Sequence, residues 1–204
     1  MNKNYSEHLV FASHEMTPNI TPVIDHRMRV KKVWVVHTPN MQNRAQRLEK
    51  IYKKHQVDVG FIPVSNVFDS HSLKSELTQA IERNDINTKD LAINISCGTK
   101  ITAVVAVKVF ENTPTGIYYL LPNDDLDWIQ PLGQTKFNIE DSIKLNDMLT
   151  AYGVDYLRVD KINSKQAAFA KTVTNGLQRI IFEHQLHDKY QEFSHQVFRD
   201  QTVF

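Results

Sequence analysis

Short apolar runs alternate with longer amphipathic segments through the first 130 residues of the chain. The runs are rich in valine and isoleucine, and they lie at 8–13, 33–36, 57–62, 91–95 and 117–121. Apolar residues at helical spacing predict helices between these runs, at 18–26, 41–55, 72–83 and 98–111. Parallel strands need a crossover long enough for a helix, so this alternation predicts βαβ units. We therefore expect an α/β fold: a doubly wound, mostly parallel Rossmann-like sheet flanked by helices.

Three details of this pattern need a separate argument. Residues 98–111 are rich in β-branched side chains, which favour a strand, but their length and their position after a tight turn favour a buried helix. Ser70 or Ser72 is expected to cap the helix at 72–83, because serine hydroxyls accept hydrogen bonds from the first amides of a helix. Residues 126–130 are expected to pair beside 117–121.

The C-terminal quarter is more polar. Residues 139–152 are expected to form a helix that stops at Gly153, since glycine is the usual helix-terminating residue. A late edge strand is expected at 154–159, followed by one or two amphipathic helices. We divide the chain into a Rossmann-like domain, residues 1–159, and a short C-terminal helical extension, residues 160–204.

Charge and cysteine content narrow the classes of partner. The 204 residues carry 24 Lys and Arg against 23 Asp and Glu, so no overall field would attract duplex DNA or an anionic membrane. The single cysteine, Cys97, excludes a disulfide within one chain and fits a reducing compartment. The apolar runs are too short for a signal segment or a membrane span. We expect a soluble, cytoplasmic protein without a cofactor or a metal site.

Three turns follow predicted strands and carry polar residues. They lie at 13–19, 37–40 and 94–100. In open α/β sheets, ligands bind outside the carboxyl ends of the strands, at the point where the strand order reverses. We therefore expect the candidate site in these three turns.

The turn at 94–100 has the clearest chemistry. Gly98 allows a close backbone approach, and the amides and dipole at the start of the following helix favour a phosphate. Thr99 adds a hydroxyl, and Lys100 adds a positive charge. Gly-Thr-Lys alone is a common sequence and lacks the spacing of a P-loop, so an ordinary strand–helix turn with a solvated lysine is the alternative.

Read together, the three turns resemble the CARF family, the CRISPR-associated Rossmann-fold sensor domains. The resemblance rests on Ser-x-x-x-x-Pro-Asn from Ser13, a Thr-Pro turn at Thr38, and Asn-Ile-Ser-x-Gly-Thr-Lys from Asn94. A Leu-x-x-x-Leu-x-x-x-Gly pattern ending at Gly153 extends it, so that it covers about residues 9–159. The match is nearest to the subgroup whose members usually carry a C-terminal restriction-type nuclease. Cys97 stands where that family usually has the first of two glycines, and a side chain there would crowd the ring. The alternative interpretation is that Cys97 is a small, buried apolar residue of the core.

The resemblance implies a homodimer that binds a cyclic oligoadenylate, most often cyclic tetra-adenylate, in type III CRISPR antiviral signalling. A ring with two-fold symmetry fits the axis of a symmetric dimer, where it meets the same patch twice. The loop from Ser13 is expected to contact ribose or base, Thr38 to line the site, and the Gly-Thr-Lys turn to hold phosphates. The implied ligand-binding residues are Ser13, His14, Met16, Thr17, Pro18, Asn19, Thr38, Pro39, Asn94, Ser96, Cys97, Gly98, Thr99 and Lys100.

Some members of the family also cleave their ring activator without a metal. In that reaction a ribose 2′-hydroxyl attacks the adjacent phosphorus, and the protein aligns the groups and neutralises charge. Lys100 would supply the charge, and Ser13 or Thr38 would fix the ribose. His14 is the nearby group suited to acid–base work, although a surface-loop histidine is the simpler interpretation.

The tail lacks the motif of an effector nuclease. A restriction-type nuclease needs a metal-binding carboxylate followed by an acid-x-Lys pair, and residues 160–204 contain no such pair. Their acidic and histidine residues fit a solvated helical face: Glu183, His184, His187, Asp188, Glu192 and His195. The chain is accordingly expected to be a stand-alone sensor or a fragment of a longer effector.

Two other classes of function stay open. A metabolic enzyme or cofactor-binding protein of Rossmann type is weakened by the lack of Gly-x-Gly-x-x-Gly after the first strand. A ligand-responsive transcription regulator could use the C-terminal helices on DNA. Their basic residues are interspersed with acidic ones and form no evident stripe: Lys165, Lys171, Arg179, Lys189 and Arg199.

Overall fold

The computed structural model describes residues 4–134, 136–140 and 143–154, together with residues 168 and 172. Almost all of them belong to the first of two compact units, residues 1–155 and 156–204. Residues 155–159 of the strand expected at 154–159 lie outside the described residues. So do the helices expected beyond residue 160, apart from Ala168 and Thr172, which are helical. The division of the chain at residue 159 stays a prediction.

The described residues of the first unit form seven strands and five α-helices. The strands are β1 Glu7–Phe11, β2 Lys32–His37, β3 Asp58–Pro63, β4 Leu91–Asn94, β5 Gly116–Leu120, β6 Asp125–Gln130 and β7 Phe137–Asn138. The helices are α1 Thr17–Ile24, α2 Gln42–Lys54, α3 Ser70–Arg83, α4 Lys100–Phe110 and α5 Leu145–Tyr152, with a short 3₁₀ turn at Pro39–Met41.

The strands form one sheet in the order β3-β2-β1-β4-β5-β6-β7. The pairings from β3 through β5 are parallel, while β6 and β7 are antiparallel. Leu9 of β1 lies opposite Trp34 of β2 on one side and Ile93 of β4 on the other. The order therefore reverses between β1 and β4, and the expected Rossmann-like α/β fold is confirmed.

Alternate residues of each central strand pack on opposite faces of the sheet. On one face, Leu9 and Phe11 join Leu77 of α3 and Phe110 of α4. On the other face, apolar side chains of β1 and β2 pack against α1, α2 and α5: Val10, Val33, Val35, Ile20, Leu48, Ile51 and Ala151. Both faces are covered, which explains why the central strands have continuous apolar sequences.

The helix expected at 98–111 is confirmed as α4. Thr99 caps it, since its Oγ1 accepts a hydrogen bond from the Thr102 amide. The cap expected for α3 is wrong: neither Ser70 nor Ser72 caps it, because the Asp69 carboxylate accepts from the amides of His71 and Ser72.

The helix expected at 139–152 is wrong in its first half. Residues 137–138 form β7, and Ile139 is buried beside β6 with its amide donating to the Asp124 carbonyl. The helix α5 begins only at Leu145 and ends, as expected, at Gly153 with φ 70°. It is tied to α2 by the buried Asp147 carboxylate, which contacts Lys54 and His55.

Candidate functional site

A pocket of about 610 Å³ lies at the carboxyl ends of four adjacent strands, β4, β1, β2 and β3. It opens at the reversal of strand order, where the connections after β1 and β4 diverge. We call it the switch-point pocket. Its lining comes from the four connections and the strand ends below them: Phe11, Ala12, Ser13, His14, Glu15, Val36, His37, Thr38, Pro39, Asn40, Met41, Ser65, Asn66, Val67, Phe68, Ser96, Cys97, Gly98, Thr99 and Thr102.

The turn between β4 and α4 requires glycine at position 98. Gly98 has φ 95°, and a Cβ there would lie 2.5 Å from Oγ1 of Thr102. The Thr102 hydroxyl cannot easily move, because it donates to the Thr99 carbonyl at 2.6 Å. The first amides of α4 have no partners inside the helix and carry its positive dipole end. This end of the pocket is therefore suited to a phosphate.

The β1 and β4 connections are joined at one carbonyl. Both Ser13 Oγ and Cys97 Sγ donate to the carbonyl oxygen of Glu15, at 2.7 and 3.2 Å. Cys97 is buried, as its apolar interpretation expected, and burial raises the pKa of its thiol to about 11. The thiol is therefore protonated at neutral pH and holds the two loops together rather than acting as a nucleophile.

Six of the residues expected to bind ligand lie outside the pocket lining. Two of the buried ones, Asn19 and Asn94, hold the loops in place through hydrogen bonds to the backbone. Asn19 donates to the Phe11 carbonyl at 2.8 Å, and Asn94 donates to the Pro18 carbonyl at 2.7 Å. Met16 is fully buried, since α1 begins at the next residue and turns the chain toward the core. The six are Met16, Thr17, Pro18, Asn19, Asn94 and Lys100.

Lys100 is the first residue of α4 and is exposed to solvent. It directly follows Thr99, which lines the pocket, so its amine can approach the rim on a flexible four-carbon chain. Its contact with a phosphate stays a prediction. Eight other expected residues do line the pocket: Ser13, His14, Thr38, Pro39, Ser96, Cys97, Gly98 and Thr99.

Arg44 of α2 adds a cation that the sequence analysis missed. Its guanidinium donates to Nδ1 of His14 at 2.9 Å and reaches the His14 carbonyl at 3.3 Å. Arginine has no acceptor, so Nδ1 must accept, and the neutral ring carries its proton on Nε2. His14 is thereby oriented with an N–H donor available for a ligand. The sequence offers no signal for this contact, because Arg44 is one of several cations on an amphipathic helix.

The loop after β3 is the fourth wall of the pocket, and the sequence analysis missed it as well. It contributes Ser65, Asn66, Val67 and Phe68. None of these residues is charged or glycine, so no phosphate-binding pattern marks them. The rule that ligands bind at carboxyl ends could have found them, since β3 also ends at this edge of the sheet.

Within the described residues, no group of three or more His, Cys, Asp or Glu side chains could hold a metal ion. None of the helices in the same part of the chain combines the length and the apolar character that a membrane span requires.

Three solved structures share this fold. Protein VC1899 from Vibrio cholerae is 23% identical with a TM-score of 0.68, over 72% of this chain and 39% of that one. Can2 from Sulfobacillus thermosulfidooxidans, solved in complex with cyclic tetra-adenylate, is 19% identical with a TM-score of 0.63, over 73% and 40%. A type III CRISPR defence DNA nuclease activated by cyclic oligoadenylate is 15% identical with a TM-score of 0.56, over 74% and 24%.

The chain thus spans less than half the length of each of these structural neighbours. Comparison with curated protein sequences finds no significant match. The family model described as the Card1 CARF domain matches residues 8–148, which include β1 from its second residue, β2 through β7, the first half of α5 and every residue of the pocket lining. The chain therefore belongs to the family of Card1 CARF domains.

Proposed function

We propose that this domain binds cyclic tetra-adenylate at the switch-point pocket as a homodimer, and that it senses this messenger in type III CRISPR signalling in the cytoplasm. The observation that carries the proposal is the arrangement of the β4–α4 turn. In a chain of the Card1 CARF family, it presents Gly98 and Thr99, directly before the N-terminus of α4, to a pocket at the reversal of strand order. Can2, which shares the fold, was solved with this ring bound.

The size of the pocket supports a dimer. A volume of about 610 Å³ falls within the range of roughly 300–1,000 Å³ that accommodates a drug-sized ligand. A ring of four nucleotides is larger than such a ligand, so one chain would enclose only part of it. A second copy related by two-fold symmetry would offer the same pocket to the other half of the ring.

Binding is tested by the thermal shift of the purified chain with cyclic tetra-adenylate, cyclic hexa-adenylate and linear tetra-adenylate. A ligand that binds only the folded state raises Tm, and the shift grows with the logarithm of the ratio of ligand concentration to Kd. We expect the largest shift with the cyclic tetramer. Equal shifts with the linear tetramer would show that the pocket recognises single nucleotides rather than the ring. No shift with any of the three would contradict the proposal.

We further propose that the site cleaves its ring without a metal. The hydrogen bond by which Arg44 orients His14 supports this proposal. The 2′-oxygen of a ribose forms a bond to the adjacent phosphorus, the bond from phosphorus to the 5′-oxygen breaks, and a 2′,3′-cyclic phosphate results. The proton of the 2′-hydroxyl is lost to a base, and the leaving 5′-oxygen gains one from an acid such as His14 Nε2–H. Ser13 or Thr38 would fix the ribose, and Lys100 would neutralise the phosphate.

Cleavage is measured as loss of intact ring over time in the presence of a metal chelator. We expect slow loss that is abolished in Lys100→Ala and reduced in His14→Ala. If the ring binds but stays intact, the protein is a sensor that does not cleave its ligand. Such a sensor would pass its signal to another domain, which in the subgroup that the sequence resembles is usually a restriction-type nuclease.

A further inference from the structure

Phe68 is an exposed aromatic residue at the mouth of the switch-point pocket. Its side chain is 70% exposed, yet it lines the pocket. Single exposed apolar side chains are common on protein surfaces and need no explanation by themselves. Phe68 differs from the other large exposed apolar residues, such as Val104, Leu132 and Leu145, because none of those lines the pocket.

Hydrogen bonds on both sides fix the loop that carries Phe68. Before it, the amide and the hydroxyl of Ser65 both donate to the carboxylate of Glu76 in α3. The amide of Phe68 itself donates to Oδ1 of Asn66 at 2.8 Å. After it, Asp69 caps α3. The aromatic ring is therefore attached to a backbone that the chain's own hydrogen bonds hold in place, which lowers the entropic cost of a contact with a ligand.

The strand order places Phe68 at the end of the pocket opposite the Gly98 turn. The loop after β3 and the turn after β4 are separated by three interstrand steps of about 4.8 Å, or roughly 14 Å. In a cyclic oligonucleotide the riboses and phosphates form the closed ring, and the bases project away from it. A ring whose phosphates lie near Gly98 would therefore direct a base toward the loop after β3.

We propose that Phe68 stacks on an adenine base of the ring and that Nδ2 of Asn66 donates to a ring nitrogen of that base. This inference rests on the proposed function. Asn66 lines the pocket and its Oδ1 accepts from the Phe68 amide, so Nδ2 is the group of this side chain that is left to donate to a base. Phe68 thus supplies the apolar contact area, and Asn66 supplies the polar contact that orients the base.

The test is the Kd of the full chain for cyclic tetra-adenylate, measured for the wild type, Phe68→Ala, Phe68→Trp and Leu132→Ala. Leu132 is the matched control, since it is 87% exposed and lies outside the pocket lining. Stacking contributes about 1–3 kcal/mol per base, and the proposed dimer places two copies of Phe68 on one ring, so Phe68→Ala should raise the Kd by about 25-fold or more. Phe68→Trp and Leu132→Ala should stay within about twofold of the wild type.

A ring that carries 2-aminopurine in place of one adenine gives a direct signature of stacking, because this base loses fluorescence when it is stacked. We expect quenching with the wild type and with Phe68→Trp, and recovery of the signal with Phe68→Ala at saturating protein. If the wild type binds no ring, the proposed function fails. If the wild type binds and Phe68→Ala binds equally well, or if Leu132→Ala weakens binding as much, only the base contact is overturned.

Discussion

Replacing Gly98 by alanine adds one carbon atom, Cβ, at the end of the pocket that is proposed to bind a phosphate. An alanine with φ near 95° is strained by about 1–2 kcal/mol. Its Cβ would also lie 2.5 Å from Oγ1 of Thr102, so the hydroxyl must move and lose its bond to the Thr99 carbonyl. That bond contributes about 0.5–1.5 kcal/mol, so the total cost of the substitution is about 1.5–3.5 kcal/mol.

The chain can relieve this strain by shifting the turn, and the first amides of α4 would then move away from the pocket. We therefore expect Gly98→Ala to fold with a free energy of unfolding lowered by about 1.5–3.5 kcal/mol. We also expect its affinity for cyclic tetra-adenylate to fall at least tenfold, which corresponds to about 1.4 kcal/mol. Urea denaturation and isothermal titration calorimetry measure the two quantities.

Gly133→Ala is the matched control. Gly133 also has a positive φ, 82°, but a Cβ there would meet no atom within 4 Å, and the residue lies outside the pocket lining. It should lose only the backbone contribution of about 1–2 kcal/mol and bind the ring normally. Equal losses of stability in the two variants, or an unchanged ring affinity in Gly98→Ala, would refute this reasoning about the turn.

Three further predictions concern single side chains. Lys100→Ala should raise the Kd for the ring by about 140-fold or more, because the proposed dimer loses two charge-assisted phosphate contacts. Lys108→Ala, on the same helix but paired with Glu111, should leave the Kd unchanged, and equal Kd values for the two variants by calorimetry would exclude a phosphate contact by Lys100. Cys97 should resist alkylation by iodoacetamide at pH 7.5 in the folded protein and react readily in urea, because burial raises the pKa of its thiol to about 11. Rapid labelling of the native chain would contradict this prediction. Burial lowers the pKa of His8 to about 3, so below pH 6.5 the unfolded state binds a proton more readily than the folded state, and the free energy of unfolding should fall by about 2–3 kcal/mol between pH 6.5 and 4.5. His8→Phe should reduce this dependence on pH, and an unchanged dependence would show that other groups cause it.

Periodicity accounts for most of the fold. The central strands are continuous apolar runs, and the helices between them have one apolar face, so the sequence pattern alone leads to a doubly wound sheet. For α4 the position after a tight turn was the better guide, because Thr99 caps a helix whose β-branched residues pack on the sheet. The two-residue strand β7 has no pattern of its own, since it exists only through its pairing with β6.

The candidate site was only partly predictable. A glycine after a buried strand and the polar residues in the three turns identify the correct edge of the sheet. Sequence does not distinguish an asparagine that faces a ligand from one that holds a loop, and Asn19 and Asn94 both donate to backbone carbonyls. The contact of Arg44 with His14 and the wall formed by Phe68 depend on how distant segments meet, which no local pattern encodes.

In the proposed complex, two copies of the switch-point pocket enclose one ring. Sedimentation of the purified chain, titrated with cyclic tetra-adenylate and monitored at the absorbance of adenine, measures the mass of the complex and its ligand content together. We expect a dimer that carries one ring for every two chains. A monomer that carries one ring, or a dimer that sediments without adenine absorbance at saturating ligand, would contradict it.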